Sequence, residues 1–95
     1  MYNMVMNRSD QLKKIQDECF TIFKAKNSDY GSSFEDDGVI GVIIRIGDKI
    51  KRMKSITTKG IHLVNDESLR DTLLDLHNYA AMAVMLLDDK EPKQE

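Results

Sequence analysis

One cysteine, one proline and no tryptophan occur in the 95 residues of this chain. A lone cysteine, Cys19, excludes an intrachain disulfide and a cysteine-based zinc site, and it fits a reducing, cytoplasmic setting. The single proline, Pro92, sits near the end, which leaves the body of the chain without the residue that most readily breaks a helix. Net charge is only −2, too small a bias of either sign to give a broad footprint for duplex nucleic acid or an anionic membrane, though a local basic cluster is compatible with it. No apolar run approaches the ~20 residues of a bilayer span, and Met1-Tyr2-Asn3-Met4-Val5-Met6 lacks a charged segment followed by a hydrophobic one.

What is present points to a small helical protein. Hydrophobic residues make up 41% and charged residues 32% of a length that suits one domain, 1–95, with 1–8 and 88–95 expected to fray. A chain of this size buries a small core, so association with further copies would add burial that a monomer lacks. Ser9 or Asn7 can cap a first helix in which Leu12, Ile15, Cys19, Ile22 and Phe23 recur at helical spacing, to about Lys26. From Asn27 to Gly38 the period is lost among turn-forming residues, and a loop is expected there, with Tyr30 and Phe34 embedded in it. Val39 to Ile46 is rich in β-branched residues. Continued to Ile56, however, the positions Ile43, Ile46, Ile50, Met53 and Ile56 keep helical spacing over a length unusual for a strand. Gly41 and Gly47 weaken that helix and suggest close approach of another backbone or a ligand. Asn65 or Asp66 caps a last helix whose buried side is predicted to be Leu69, Leu73, Leu76, Ala80, Ala83 and Leu87, with Tyr79, Met82, Val84, Met85 and Leu86 widening the apolar surface. The expected architecture is all-α: three helices, completed into a bundle by homo-oligomerisation.

Three patterns carry possible chemistry. Glu67, Asp71 and Asp75 are four apart, so they stack along one face of the last helix, with Asn78 continuing the line. Like charges at this spacing repel by roughly 0.2–0.5 kcal/mol per pair, so either a divalent cation or basic side chains from elsewhere should offset them. Arg45, Asp48 and Arg52 share a face of the middle helix, with Lys49 one turn from Arg45; ion pairing with the acidic ladder and phosphate binding are both open to this set. The third is the loop from Lys26 to Phe34, in which Lys26, Asp29, Tyr30 and Phe34 offer charge and aromatic surface for a base or sugar. His62 and His77 fall outside zinc-motif spacing, and the chain lacks a nucleophile elbow, a phosphate loop and a dinucleotide fingerprint.

Lys26-Asn27-Ser28-Asp29-Tyr30-Gly31-Ser32-Ser33-Phe34, Arg45-Ile46-Gly47-Asp48-Lys49 with Arg52, and Glu67-Ser68-Leu69-Arg70-Asp71-Thr72-Leu73-Leu74-Asp75-Leu76-His77-Asn78-Tyr79-Ala80 occur in that order. Together they resemble the motifs of the nucleotide-modification-associated domain family of phages, large DNA viruses and bacteria. The last motif is also similar to the final metal-binding helix of MazG-like all-α nucleoside triphosphate pyrophosphatases. That likeness implies a magnesium-dependent pyrophosphohydrolase of nucleoside triphosphates, most simply deoxynucleotides. Glu67, Asp71 and Asp75 would then be Mg²⁺ ligands, and Asp71 or Asp48 would orient water. Lys26, Arg45, Lys49 and Arg52 would meet phosphate, while Asp29, Tyr30, Phe34 and Asn78 would contact the rest of the substrate. The chain departs from the MazG-like pattern on the preceding helix, where a pair of glutamates gives way to Asp48 among Arg45, Lys49 and Arg52. With fewer acids and more bases, the alternative is a nucleotide-binding module without turnover.

Overall fold

The computed structural model describes residues 7–58 and 67–90, with the side chains of 28–35, 67 and 90 outside the description. Two helical spans account for it: α1, Arg8–Thr58, and α2, Glu67–Lys90. Among the described residues there is no strand, so the β-branched run from Val39 to Ile46 is helical, as its longer-range spacing requires. Asn7 caps α1: its side-chain oxygen accepts from the Asp10 backbone N–H at 2.8 Å and its carbonyl from that of Gln11 at 3.0 Å.

The stretch from Asn27 to Gly38, expected to be a loop, is assigned to α1. A straight helix of 51 residues would nevertheless run about 76 Å, and the longest dimension of the molecule is 51 Å. Phe23 packs against the buried cluster of Val42, Met82 and Leu86, although 19 residues of straight helix would separate it from Val42 by about 28 Å. The chain therefore doubles back between Phe23 and Val42, giving α1 a first limb that carries Cys19, Phe23 and Lys26 and a second limb that runs from Val42 to Thr58. Gly38 has φ +65°, the left-handed conformation that glycine adopts without steric cost. Gly41 follows within one turn, and a Cβ added there would collide with the Cβ of Asp37. The close approach expected at Gly41 is thus from the chain's own side chain. Gly47, by contrast, faces open space.

Counting the limbs, three helical segments pack together. Along α2 the second limb runs antiparallel, with Arg52 beside Ser68 and Thr72, Lys49 beside Asp75, and Val42 in one cluster with Met82 and Leu86. The first limb packs against α2 as well: Cys19 meets Asn78, Lys26 meets Asp75, and Phe23 meets the Met82 cluster. Buried residues are Cys19, Val42, Ile56, Leu74, Met82 and Leu86, together with Thr72 and Asn78.

Two predicted faces are rotated in the structure. On α2, Leu73, Ala80 and Leu87 were expected inside but are exposed, and Leu74, Asn78, Met82 and Leu86 take the interior. On the second limb, Ile43 and Ile50 are exposed, while Val42, Lys49 and Met53 turn inward with Ile46 and Ile56. The physical reason is polar pairing between helices. Thr72, Asp75 and Asn78 find partners on α1, and turning them inward swings the leucine stripe outward. No described helix is long and apolar enough to cross a membrane.

Candidate functional site

The groove between α2 and the two limbs of α1 collects charge from all three segments. Asp75, on the inward face of α2, is its centre. Lys26 of the first limb donates to Asp75 Oδ1 at 3.2 Å, and Lys49 of the second limb lies 3.3 Å from Oδ2. Each carboxylate oxygen thus has its own ammonium, and the two bases come from positions 23 residues apart in sequence. Asp75 is 21% exposed and Lys49 27%, so these pairs are only partly screened by water. The Lys49 ammonium also stands 5.8 Å from the centre of the Tyr79 ring, within range of a cation–π attraction.

Arg52 extends the basic line by one turn. Its Nε donates to Thr72 Oγ1 at 3.3 Å and its Nη2 to Ser68 Oγ at 3.1 Å, while the Thr72 hydroxyl donates in turn to the Ser68 carbonyl at 2.7 Å. These contacts orient the guanidinium without neutralising it. Among the described residues no carboxylate lies within 4 Å of Arg52. Three of the five N–H donors of the fork stay available for an anion. Arg45, exposed and one turn from Lys49 on the other side, continues the stripe. Lys26, Lys49 and Arg52 therefore face one carboxylate, an excess of positive charge in a chain whose net charge is negative.

The acidic ladder is dispersed differently. Asp71 is exposed, one turn before Asp75, and the Glu67 side chain lies outside the described residues. Asp48 is exposed, turned about 100° from Lys49 around the helix. No three acidic, histidine or cysteine side chains converge to hold a metal among the described residues. A cation bridging Asp71 and Asp75 requires Lys26 and Lys49 to release Asp75 first. Of the two partners open to the ladder, basic side chains are the ones found at Asp75.

The remaining candidates sort by position. The side chains of Asp29, Tyr30 and Phe34 lie outside the described residues. Asn78 is buried; its Nδ2 donates to the Cys19 carbonyl at 3.0 Å and its Oδ1 lies 2.9 Å from His77 Nδ1, so its amide ties α2 to the first limb. Arg70 points away from the groove and grips Glu18 with two hydrogen bonds of 2.7 and 2.8 Å. The hydrogen bonds and charge of Arg70 hold the Glu18 carboxyl below its ordinary range, and the same pair raises Arg70. Burial, reinforced by the Glu18 charge, pushes the Cys19 thiol up and keeps it protonated. Ser68, Thr72 and Tyr79 were missed as contributors. The signal that could have found Ser68 and Thr72 is two hydroxyls one turn apart on a leucine-rich helix.

A family model described as nucleotide modification associated domain 1 matches residues 26–87, a span that begins at Lys26 and includes every other residue of the groove. No curated protein and no solved structure matches the chain.

Proposed function

The chain belongs to the nucleotide modification associated domain 1 family, and from that premise we propose that its groove binds the polyphosphate of a nucleotide, most simply a deoxynucleoside triphosphate. The observation that carries this reading is the convergence of Lys26 and Lys49 on Asp75, with Arg52 one turn on and held by hydroxyls alone among the described residues. In the empty groove Asp75 stands in for the anion. An arriving phosphate can take both ammonium groups from it, and the Arg52 fork suits a second phosphate's oxygens. Arg45 extends the track for a third. Binding of this kind serves a sensor, a sponge for a nucleotide signal, or an accessory subunit of a nucleotide-modifying enzyme.

A second reading is magnesium-dependent pyrophosphohydrolysis, in the manner of the MazG-like enzymes, by a homo-oligomeric cytoplasmic protein of phage, viral or bacterial origin. It is favoured by the four-residue spacing of Glu67, Asp71 and Asp75, which would hold the ion once the lysines have moved to phosphate. Magnesium there would neutralise phosphoryl charge and acidify a bound water, with Asp48 or Asp71 orienting that water. The described side chains do not present this acidic shell as they stand, so the binding reading takes precedence.

Calorimetry with deoxynucleoside triphosphates, with and without magnesium, tests the proposal. Arg52→Ala should weaken binding about 10- to 100-fold, the worth of ~1.5–3 kcal/mol for hydrogen bonds to a charged group, while Arg52→Lys restores part of it. Nucleotide recovered intact from the complex supports binding alone, and release of pyrophosphate supports the second reading. Wild-type affinity in Arg52→Ala and Lys49→Ala would remove the groove from consideration.

A further inference from the structure

The two hydrogen bonds that hold Arg52 fall on one edge of its guanidinium. Nε donates to Thr72 Oγ1 and Nη2 to Ser68 Oγ, and these nitrogens share the side edge of the planar group. The donors left over, on Nη1 and the rest of Nη2, form the end fork, which is the edge turned to an anion. Thr72 is 3% exposed and commits its own proton to the Ser68 carbonyl at 2.7 Å, so only its oxygen lone pairs face Arg52. Neither hydroxyl is charged, and the guanidinium keeps its full positive charge. Arg52 itself is exposed, so water can satisfy its donors without help from α2. What the hydroxyls add is a fixed direction.

Resting on the reading of the groove as a polyphosphate site, we propose that Ser68 and Thr72 are positioning residues that make it discriminate by the length of the phosphate chain. Lys49 and Arg52 are three residues apart, a rise of about 4.5 Å along the helix, and so are Asp75 and Thr72, which face them. A single phosphate seated between Lys26 and Lys49 lies at the Asp75 end, and a guanidinium pinned to two points of α2 does not swing across to share it. A second phosphate, carried further along the groove, meets the end fork already aimed at it, with little side-chain freedom left to lose. Without the hydroxyls the long arginine side chain follows whichever phosphate is present, and the preference for a chain over a single phosphate shrinks.

Calorimetry on the full chain in chelator, with one deoxynucleoside in its monophosphate and triphosphate forms, provides the test. Thr72→Val keeps the volume and deletes the hydroxyl, and should lower the triphosphate-to-monophosphate affinity ratio about 3- to 10-fold, the worth of one hydrogen bond. Thr72→Ser retains the oxygen and should hold the wild-type ratio. Ser68→Ala, at a half-buried position and with the backbone carbonyl still in place for Thr72, should lower the ratio as Thr72→Val does. In an Arg52→Ala background Thr72→Val should lower it no further, because a positioning residue acts only through the group it positions. A loss of equal size for both ligands, or one that persists without Arg52, marks Thr72 as a structural residue and overturns the assignment. So does a wild-type ratio in both Thr72→Val and Ser68→Ala. If Arg52→Ala weakens triphosphate binding while the hydroxyl variants keep the ratio, the groove stands and the role of the hydroxyls falls; if Arg52→Ala leaves triphosphate affinity untouched, both fall together.

Discussion

Replacing Asp75 by asparagine should weaken the fold and strengthen phosphate binding at the same time. The substitution keeps the shape of the side chain and removes the charge between Lys26 and Lys49. The two pairs, at 3.2 and 3.3 Å, are partly exposed, with Lys26 itself 46% accessible, so each is worth no more than the ~0.2–1 kcal/mol of screened ion pairs. Their joint loss, with two ammonium groups left facing a neutral amide, should cost about 1 kcal/mol, a fall in Tm of about 4–8 °C for a domain of this size. The same amount no longer has to be given up when phosphate displaces the carboxylate. Metal-free affinity for a triphosphate should therefore rise about fivefold. Saturating nucleotide should restore the melting temperature, since ligand at a hundred times Kd adds about 2.7 kcal/mol. Calorimetry in chelator and differential scanning calorimetry read the two effects separately. Unchanged or weaker metal-free binding by Asp75→Asn would refute the idea that Asp75 occupies an anion site. Loss of a magnesium-dependent component in that variant would instead identify Asp75 as a metal ligand.

Three further outcomes follow from the packing. Asn78→Ala removes the amide that links α2 to the Cys19 carbonyl and should cost about 1–3 kcal/mol in urea unfolding, with Asn78→Asp at least as damaging because its oxygens face that carbonyl. Gly38→Ala should destabilise by about 1–2 kcal/mol through its left-handed backbone, whereas Gly47→Ala, with open space around it, should stabilise by about 0.8–1.0 kcal/mol; the contrast is read in parallel thermal melts. The Glu18–Arg70 pair makes stability acid-sensitive. The Glu18 carboxyl is lowered in the folded state, so the unfolded chain binds the proton more readily; the stabilisation is complete above the ordinary glutamate range near pH 4.3 and is lost as pH falls below it through the lowered value. Arg70→Ala should remove that part of the pH dependence between pH 5 and 2.

Helical class was legible because the spacing of Ile46, Met53 and Ile56 outlasts any strand, and the all-α outcome follows from it. The charged residues of the groove were legible too: Lys49, Arg52 and Asp75 stood out on helix faces, and Lys26 at the head of a polar loop, before any contact was known. What local spacing could not convey is which charges meet. Lys26 and Asp75 are 49 residues apart and meet across the doubling back of α1, and Arg52 and Thr72 are 20 apart on successive helices. Asn27 to Gly38 carries turn residues, so a loop was the natural reading. The backbone there is helical, and the stretch ends at a glycine with positive φ.

The rotated face of α2 has a more general cause. Hydrophobic periodicity assigns the leucine stripe to the interior because an isolated chain gains most by hiding it. Here Thr72, Asp75 and Asn78 are drawn inward by Arg52, by Lys26 and Lys49, and by the Cys19 carbonyl, each of which needs a partner once the three segments pack. A helix cannot present both faces to one neighbour, so satisfying those groups leaves Leu73, Ala80, Val84 and Leu87 toward solvent. Such a stripe is costly for a monomer and costs nothing if another copy covers it. The polar groove and the exposed leucine stripe are thus two consequences of the same rotation. A substitution that let α2 turn its leucines inward, such as Asn78→Leu, should loosen nucleotide binding in calorimetry, although Asn78 itself touches none of Lys26, Lys49, Arg52 and Asp75.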